Sequence, residues 1–167
     1  MAILQFLDLI KEVVDISEVE GEELTISVRD EGKGISDVEK AMEPMYTTDT
    51  TGERSGMGFS FMEAFMDEIH VESEPGKGTT VTAIFTLNHI DRMPLGDMTA
   101  TIQTLIQGHP GTYFLYVYRC GEKEFSLDTR EMRAILGDVP LTTPEISSYI
   151  KDYLTENKLE TDGGTVY

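Results

Sequence analysis

Three glycine-rich turns follow one another along the 167 residues: Asp30-Glu31-Gly32-Lys33-Gly34, Arg54-Ser55-Gly56-Met57-Gly58-Phe59 and Gly76-Lys77-Gly78-Thr79-Thr80. Glycine lets a backbone approach a ligand closely and adopt positive φ. A glycine turn that opens a helix also presents free N–H groups to an anion. One such turn means little. Three in order, the first with an aspartate just ahead of its glycines, point to nucleotide binding. Each residue also has a plainer reading. Asp30 alone reads as a turn aspartate capping its own loop. Gly56–Gly58 reads as a loop-to-helix turn, Thr80 as a strand threonine and Arg54 as a solvated charge.

The elements that must position these turns follow from hydrophobic periodicity. Residues 2 to 15 read as an amphipathic helix. Ile3, Leu4, Phe6, Leu7, Leu9, Ile10, Val13 and Val14 form its apolar face, with Gln5, Asp8, Lys11, Glu12 and Asp15 opposite. An acidic loop, Glu18 to Glu23, comes next. Leu24 to Val28 alternates as a strand ending at Arg29-Asp30. Ser36 is placed to cap a short helix through Val38, Ala41 and Met42, which Pro44 ends. Residues 45 to 55 are a polar loop. Phe59 to Met66 has helical spacing, and strands at Ile69–Glu74 and Thr79–Leu87 share the Pro75–Gly78 turn. Beyond residue 88 the pattern predicts a helix from Met93 to Gln107 and a hairpin, 113–118 with 124–127, about Gly121. Two further helices follow, at Thr129–Leu136 and from Pro144 to about Asn157, and the tail from Glu160 reads as frayed. The expected domains are 1–88 and 89–160.

Composition narrows the class. Thirty-one acidic residues against thirteen basic give a formal charge of −18, which repels phosphate backbones and argues against general nucleic-acid binding. A basic face on a partner protein would be steered in. Cys120 is the single cysteine, so neither an intrachain disulfide nor a cysteine zinc site is expected. The start lacks a basic n-region, Asp8 interrupts its apolar run, and no apolar run approaches spanning length. A cytoplasmic protein without a membrane segment is expected. His70, His89 and His109 lack metal-like spacing and read as surface or packing residues.

Over Leu24 to Phe85 the chain resembles the GHKL superfamily, which includes histidine kinases, gyrase, Hsp90 and the bacterial anti-sigma serine kinases. Asp30-x-Gly32-x-Gly34, Gly56-x-Gly58 and Gly78-Thr79-Thr80 match its ATP-binding boxes. Glu43 to Thr48, Glu53 to Phe59 and Met62 to Glu68 look most like the anti-sigma serine kinases. The resemblance implies an α+β, Bergerat-type two-layer sandwich: a mixed sheet with helices on one face and ATP or ADP on the helical side. It implies that Asp30 accepts a hydrogen bond from the adenine amino group, that Gly32 and Gly34 pass close to the base, and that Thr80 backs the pocket. Gly56, Met57 and Gly58 would offer N–H groups to phosphate, Arg54 would pair with it, and Ser55 and Phe59 would complete this cofactor-binding set. Thr47 and Thr48 would open a short lid ending near Gly56, although Asp49 stands where that subgroup often has lysine. From His89 onward the chain resembles the extension of minimal ATP-binding proteins linked with hydrogenase genes in anaerobic bacteria.

One departure lies upstream. The superfamily carries a helix with Glu-x-x-x-Asn, in which the asparagine holds Mg²⁺, and this chain has no asparagine before Asn88. On the predicted first helix Asp8 and Glu12 share one face at four-residue spacing. Carboxylates are good Mg²⁺ ligands, so this pair is the candidate catalytic set, with Glu12 as metal ligand; the plainer reading is the polar face of an amphipathic helix. Two functions stay open. One is a Mg-ATP-dependent serine kinase of the anti-sigma type, acting on a sigma-factor or antagonist partner. The other is a non-catalytic nucleotide sensor that binds a partner protein. Homodimerisation is left open.

Overall fold

The computed structural model describes residues 12–46, 58–90 and 95–165. The elements run β1 (Glu12–Glu20), β2 (Glu23–Asp30), α1 (Val38–Met42), α2 (Gly58–Phe65), β3 (Glu68–Glu74), β4 (Gly78–Thr86), α3 (Met98–Gly108), β5 (Tyr113–Cys120), β6 (Lys123–Asp128), α4 (Thr129–Leu136) and α5 (Pro144–Asp162). The six strands form one mixed sheet in the order β3-β4-β2-β1-β5-β6. All neighbours are antiparallel except β1 and β5, which are parallel. The fold is α+β with a mixed sheet, as expected, and the sheet is open.

The start of the chain departs from its expectation. Residues 12–15 belong to a strand rather than to a helix, and the supposed acidic loop is the end of that strand plus a two-residue turn, Gly21-Glu22. Gly21 has φ +60°, the left-handed backbone that a tight hairpin between twisted strands requires. Residues 2–11 lie outside the described residues, as do the lid threonines.

Register places side chains on two faces. Asp30 pairs with Val13 and Val13 with Phe114, so Asp30, Val28, Ile26 and Leu24 share a face with Phe114, Tyr116 and Tyr118. On β4 that face carries Thr79, Val81 and Ala83. Leu24, Ala83, Phe114, Tyr116 and Tyr118 are all buried. Over the β5–β6 end, Met98, Ile102 and Ile106 of α3 and Ile150 and Leu154 of α5 close a core cluster, against which Val28 packs from β2. The edge-to-face pair Tyr116–Phe125 (5.9 Å between centroids) is at its centre.

The C-terminal half therefore extends the sheet. Its hairpin covers the outer edge of β1, which otherwise would present unpaired backbone groups. Two buried polar ties hold it. Thr129 Oγ1 accepts from the Phe114 N–H at 2.8 Å and donates to its carbonyl at 3.2 Å. The Tyr118 hydroxyl donates to Asp162 Oδ2 at 3.0 Å, where Lys158 also donates, while the Gly164 N–H donates to Oδ1 at 2.8 Å. This knot explains why the tail is not frayed: α5 continues through Thr161 and Asp162, both buried, to a left-handed Gly163 cap.

Smaller boundaries shift for the same kind of reason. Asp37 rather than Ser36 caps α1, its carboxylate accepting from the Lys40 N–H at 3.0 Å. Asp97 caps α3 through the Ala100 N–H. No helix among the described residues is long and apolar enough to cross a membrane.

Candidate nucleotide site

The first and third glycine turns meet backbone to backbone. Gly34 has φ +68°, and a Cβ there would lie 2.2 Å from the Glu74 carbonyl oxygen. Gly78 has φ +107°, and a Cβ there would lie 1.9 Å from the Asp30 carbonyl oxygen. The Gly76 N–H donates to the Lys33 carbonyl at 2.8 Å. These glycines let two turns interlock at the end of β2, β3 and β4. Gly34, expected to pass beside a base, has this packing role.

Asp30 closes β2. Its Oδ1 accepts from the Gly32 N–H at 2.6 Å, so the plain turn reading of the aspartate is correct for one oxygen. Its Oδ2 has no partner among the described residues. Gly32 serves the carboxylate through this bond.

Thr79 is the strand partner of Asp30, and Thr80 is the partner of Arg29. Cross-strand partners share a face, so Thr79 stands on the side of Asp30 and Thr80 on the other. The threonine that backs the aspartate is Thr79, one residue before the one the sequence reading chose. Both threonines line an open cavity of about 300 Å³ with Arg29, Asp30, Ser73 and Lys77.

Ser73, on β3, was not anticipated. Its Oγ accepts from the Ile35 N–H at 2.7 Å, donates to the Gly78 carbonyl at 2.9 Å and lies 2.9 Å from Thr79 Oγ1. One hydroxyl thus ties the first loop to the third. A serine alternating with isoleucine and valine, just ahead of a Pro-Gly turn, was the available signal.

The second box is described only from Gly58 onward. Gly58 opens α2, and Phe59 and Met62 are buried, which anchors the helix start. Thr47, Thr48, Arg54, Ser55, Gly56 and Met57 lie outside the described residues, as does Asp8. Glu12 opens β1, so the helical face that would have paired it with Asp8 does not include it. Its backbone lies one residue before Val13, the register partner of Asp30, and so at the same end of the sheet. Among the described residues no group of three or more His, Cys, Asp or Glu side chains is placed to hold a metal ion.

An adenine fits this chemistry: a carboxylate oxygen without a partner among the described residues and a hydroxyl share one face at a corner locked by glycines. Residues 9–89 match the family model described as histidine kinase-, DNA gyrase B- and HSP90-like ATPase. The anti-sigma F factor of Caldanaerobacter subterraneus subsp. tengcongensis is 66% identical over 58 residues, 35% of this chain and 41% of that protein. Those of Clostridium acetobutylicum and of Thermoanaerobacter sp. strain X514 are 64% and 60% identical over 63 residues each, 38% of this chain and 44% of each relative. The chain thus spans less than half the length of the curated relatives it matches. A crystal structure of the N-terminal domain of a DNA repair protein superposes with a TM-score of 0.48 at 14% identity, covering 71% of this chain and 47% of that one, too low a similarity to bear on the fold. The match to the histidine kinase-, DNA gyrase B- and HSP90-like ATPases covers residues 9–89, just under half of the chain, and supports nucleotide binding there.

Proposed function

We propose that the chain is an adenine-nucleotide-binding regulator of the anti-sigma-factor type, working through a protein partner of the sigma-factor or antagonist class. The observation that carries this is the corner where Asp30 and Thr79 share a face while Gly34 and Gly78 lock the loops around them. Asp30 Oδ2 accepts the exocyclic amino group of adenine. The start of α2 at Gly58, with the Arg54–Met57 segment before it, offers N–H groups and a cation to the phosphates. The relatives' names supply the partner class, and the formal charge of −18 supports a partner with a basic face.

The test is a calorimetric titration with ADP, ATP and GTP. Adenine nucleotides bind and GTP does not compete. Asp30→Asn weakens ADP by about 1–3 kcal/mol, the usual cost of a lost charged hydrogen bond. Equal affinity for ATP and GTP refutes the assignment.

A specific observation favours the non-catalytic version of this regulator. Phosphoryl transfer depends on positioning and on metal neutralisation of developing charge. Glu12 is in a strand and does not share a helical face with Asp8, so the expected carboxylate pair loses its geometric basis. Mg²⁺ then accompanies the nucleotide's phosphates, with Glu12, at the Asp30 end of the sheet, as the remaining carboxylate to test. Glu12→Ala flattens the Mg²⁺ dependence of ADP affinity if Glu12 is a ligand; an unchanged dependence assigns it to the strand alone. Transfer of phosphate from ATP to a partner serine at an ordinary kinase rate restores the enzymatic reading.

A further inference from the structure

We propose that Ser73 is a positioning residue that turns Thr79 into an acceptor-only group and so sets which base edge the corner admits; the proposal rests on the nucleotide reading above. A hydroxyl has one proton and two lone pairs. We place the Ser73 proton on the Gly78 carbonyl 2.9 Å away. One lone pair takes the Ile35 N–H at 2.7 Å. The 2.9 Å contact with Thr79, in which either hydroxyl could be the donor, is then completed by Thr79 donating its proton to the second lone pair of Ser73.

The consequence falls on the neighbouring face. With its proton spent on Ser73, Thr79 Oγ1 offers only lone pairs. Asp30, its strand partner, adds Oδ2, a carboxylate oxygen with no partner among the described residues. The corner thus shows a base two acceptors and no donor. An edge with an amino group is welcomed. An edge with a carbonyl oxygen at the same position meets acceptors and loses its hydration without replacement. Discrimination against a 6-oxo purine then comes from the protonation pattern of three hydroxyl-bearing and carboxylate side chains rather than from Asp30 alone. Ser73, in the lining of the cavity, acts through Thr79. It acts by holding the Thr79 proton away from the pocket.

The experiment compares dissociation constants for ADP and inosine diphosphate. In the wild type the ratio favours ADP at least tenfold. Ser73→Ala frees the Thr79 proton to rotate and donate to O6, and the ratio falls at least fivefold; Ser73→Thr, which keeps the hydroxyl, retains it. Thr79→Val removes one acceptor while leaving the bonds of Ser73 to Ile35 and Gly78, and it also lowers the ratio. Thr79→Val is informative even if Ser73→Ala does not fold. In the Thr79→Val background Ser73→Ala moves the ratio no further. A wild type that binds ADP, with a ratio moved by neither variant, overturns the role of Ser73 alone. A wild type that binds neither nucleotide overturns the nucleotide reading itself. A change in affinity for both nucleotides by the same factor marks a structural role only and overturns the proposal.

Discussion

Gly76 and Gly78 stand two residues apart in one turn, and alanine at each separates two effects that are usually confounded. Both have left-handed backbone, φ +81° and φ +107°. A Cβ on Gly76 would meet nothing within 4 Å, whereas on Gly78 it would lie 1.9 Å from the Asp30 carbonyl oxygen. Gly76→Ala therefore costs the conformational term, about 1–2 kcal/mol for an L-residue held left-handed. Gly78→Ala carries that term and must also push two backbones apart. Real Cβ contacts stop near 3.0 Å, so the separation has to grow by at least 1.1 Å, the difference between 3.0 and 1.9. That displacement falls where Asp30 pairs with Thr79. A disrupted backbone hydrogen bond there adds about 1–3 kcal/mol, for a total of about 2–5 kcal/mol. Urea unfolding with unchanged slope reads the difference, which should be at least about 1 kcal/mol. The same displacement moves Asp30, so Gly78→Ala weakens ADP at least tenfold and Gly76→Ala leaves it within about twofold, ten-fold being about 1.4 kcal/mol. Equal destabilisation by the two substitutions refutes the claim that Gly78 is needed for close approach.

Other perturbations test the ties of the C-terminal half. Burial alone would raise the Asp162 carboxyl, but the Lys158 ammonium, the Gly164 N–H and the Tyr118 hydroxyl outweigh it and hold its pKa below the usual carboxylate value. A group lowered in the folded state contributes stability above its unfolded pKa, and that stability is lost as pH falls through the folded value. Urea midpoints followed through the acid range should therefore fall with pH in the wild type and fall less steeply in Asp162→Asn, which at neutral pH is weaker by about 1–3 kcal/mol. An unchanged acid slope in the variant removes Asp162 from the stability account. Thr129→Val keeps the volume and leaves the Phe114 N–H and carbonyl without partners, at a cost of about 1–3 kcal/mol measured the same way; a neutral substitution shows that water replaces the hydroxyl.

The glycine boxes were the most legible feature, because the physics of a close approach leaves few residue choices. Gly34 and Gly78 carry that information in the sequence, but their immediate role is to pack two loops, and only through them to place Asp30. The strands β2, β3 and β4 and the hairpin β5–β6 were likewise legible from alternation, and α4 and α5 from their caps. Ser73 and the choice between Thr79 and Thr80 were not. Each depends on register across strands separated by a turn, and a one-residue difference in register exchanges the two faces.

β1 shows where local pattern fails and why. Apolar residues recur at helical spacing from Ile3 through Val14, and the run ends in Glu-Val-Val-Asp-Ile, which alternates too briefly to outweigh it. What makes residues 12–20 a strand is non-local. On one side β2 returns through the Gly21-Glu22 turn, and on the other β5 arrives from more than ninety positions later in the chain, pairing Glu12 with Tyr113. Strand preference measures fit to neighbours more than an intrinsic backbone bias. Both neighbours were predicted as strands, but neither prediction said that they flank the same segment. A glycine between Val19-Glu20 and Glu23-Leu24 was the one local sign of a hairpin. Taking that sign would have turned β1 from a helix into the strand that joins the two halves. The candidate carboxylate Glu12 would then have moved from a helix face to the end of the sheet at which β2 reaches Asp30.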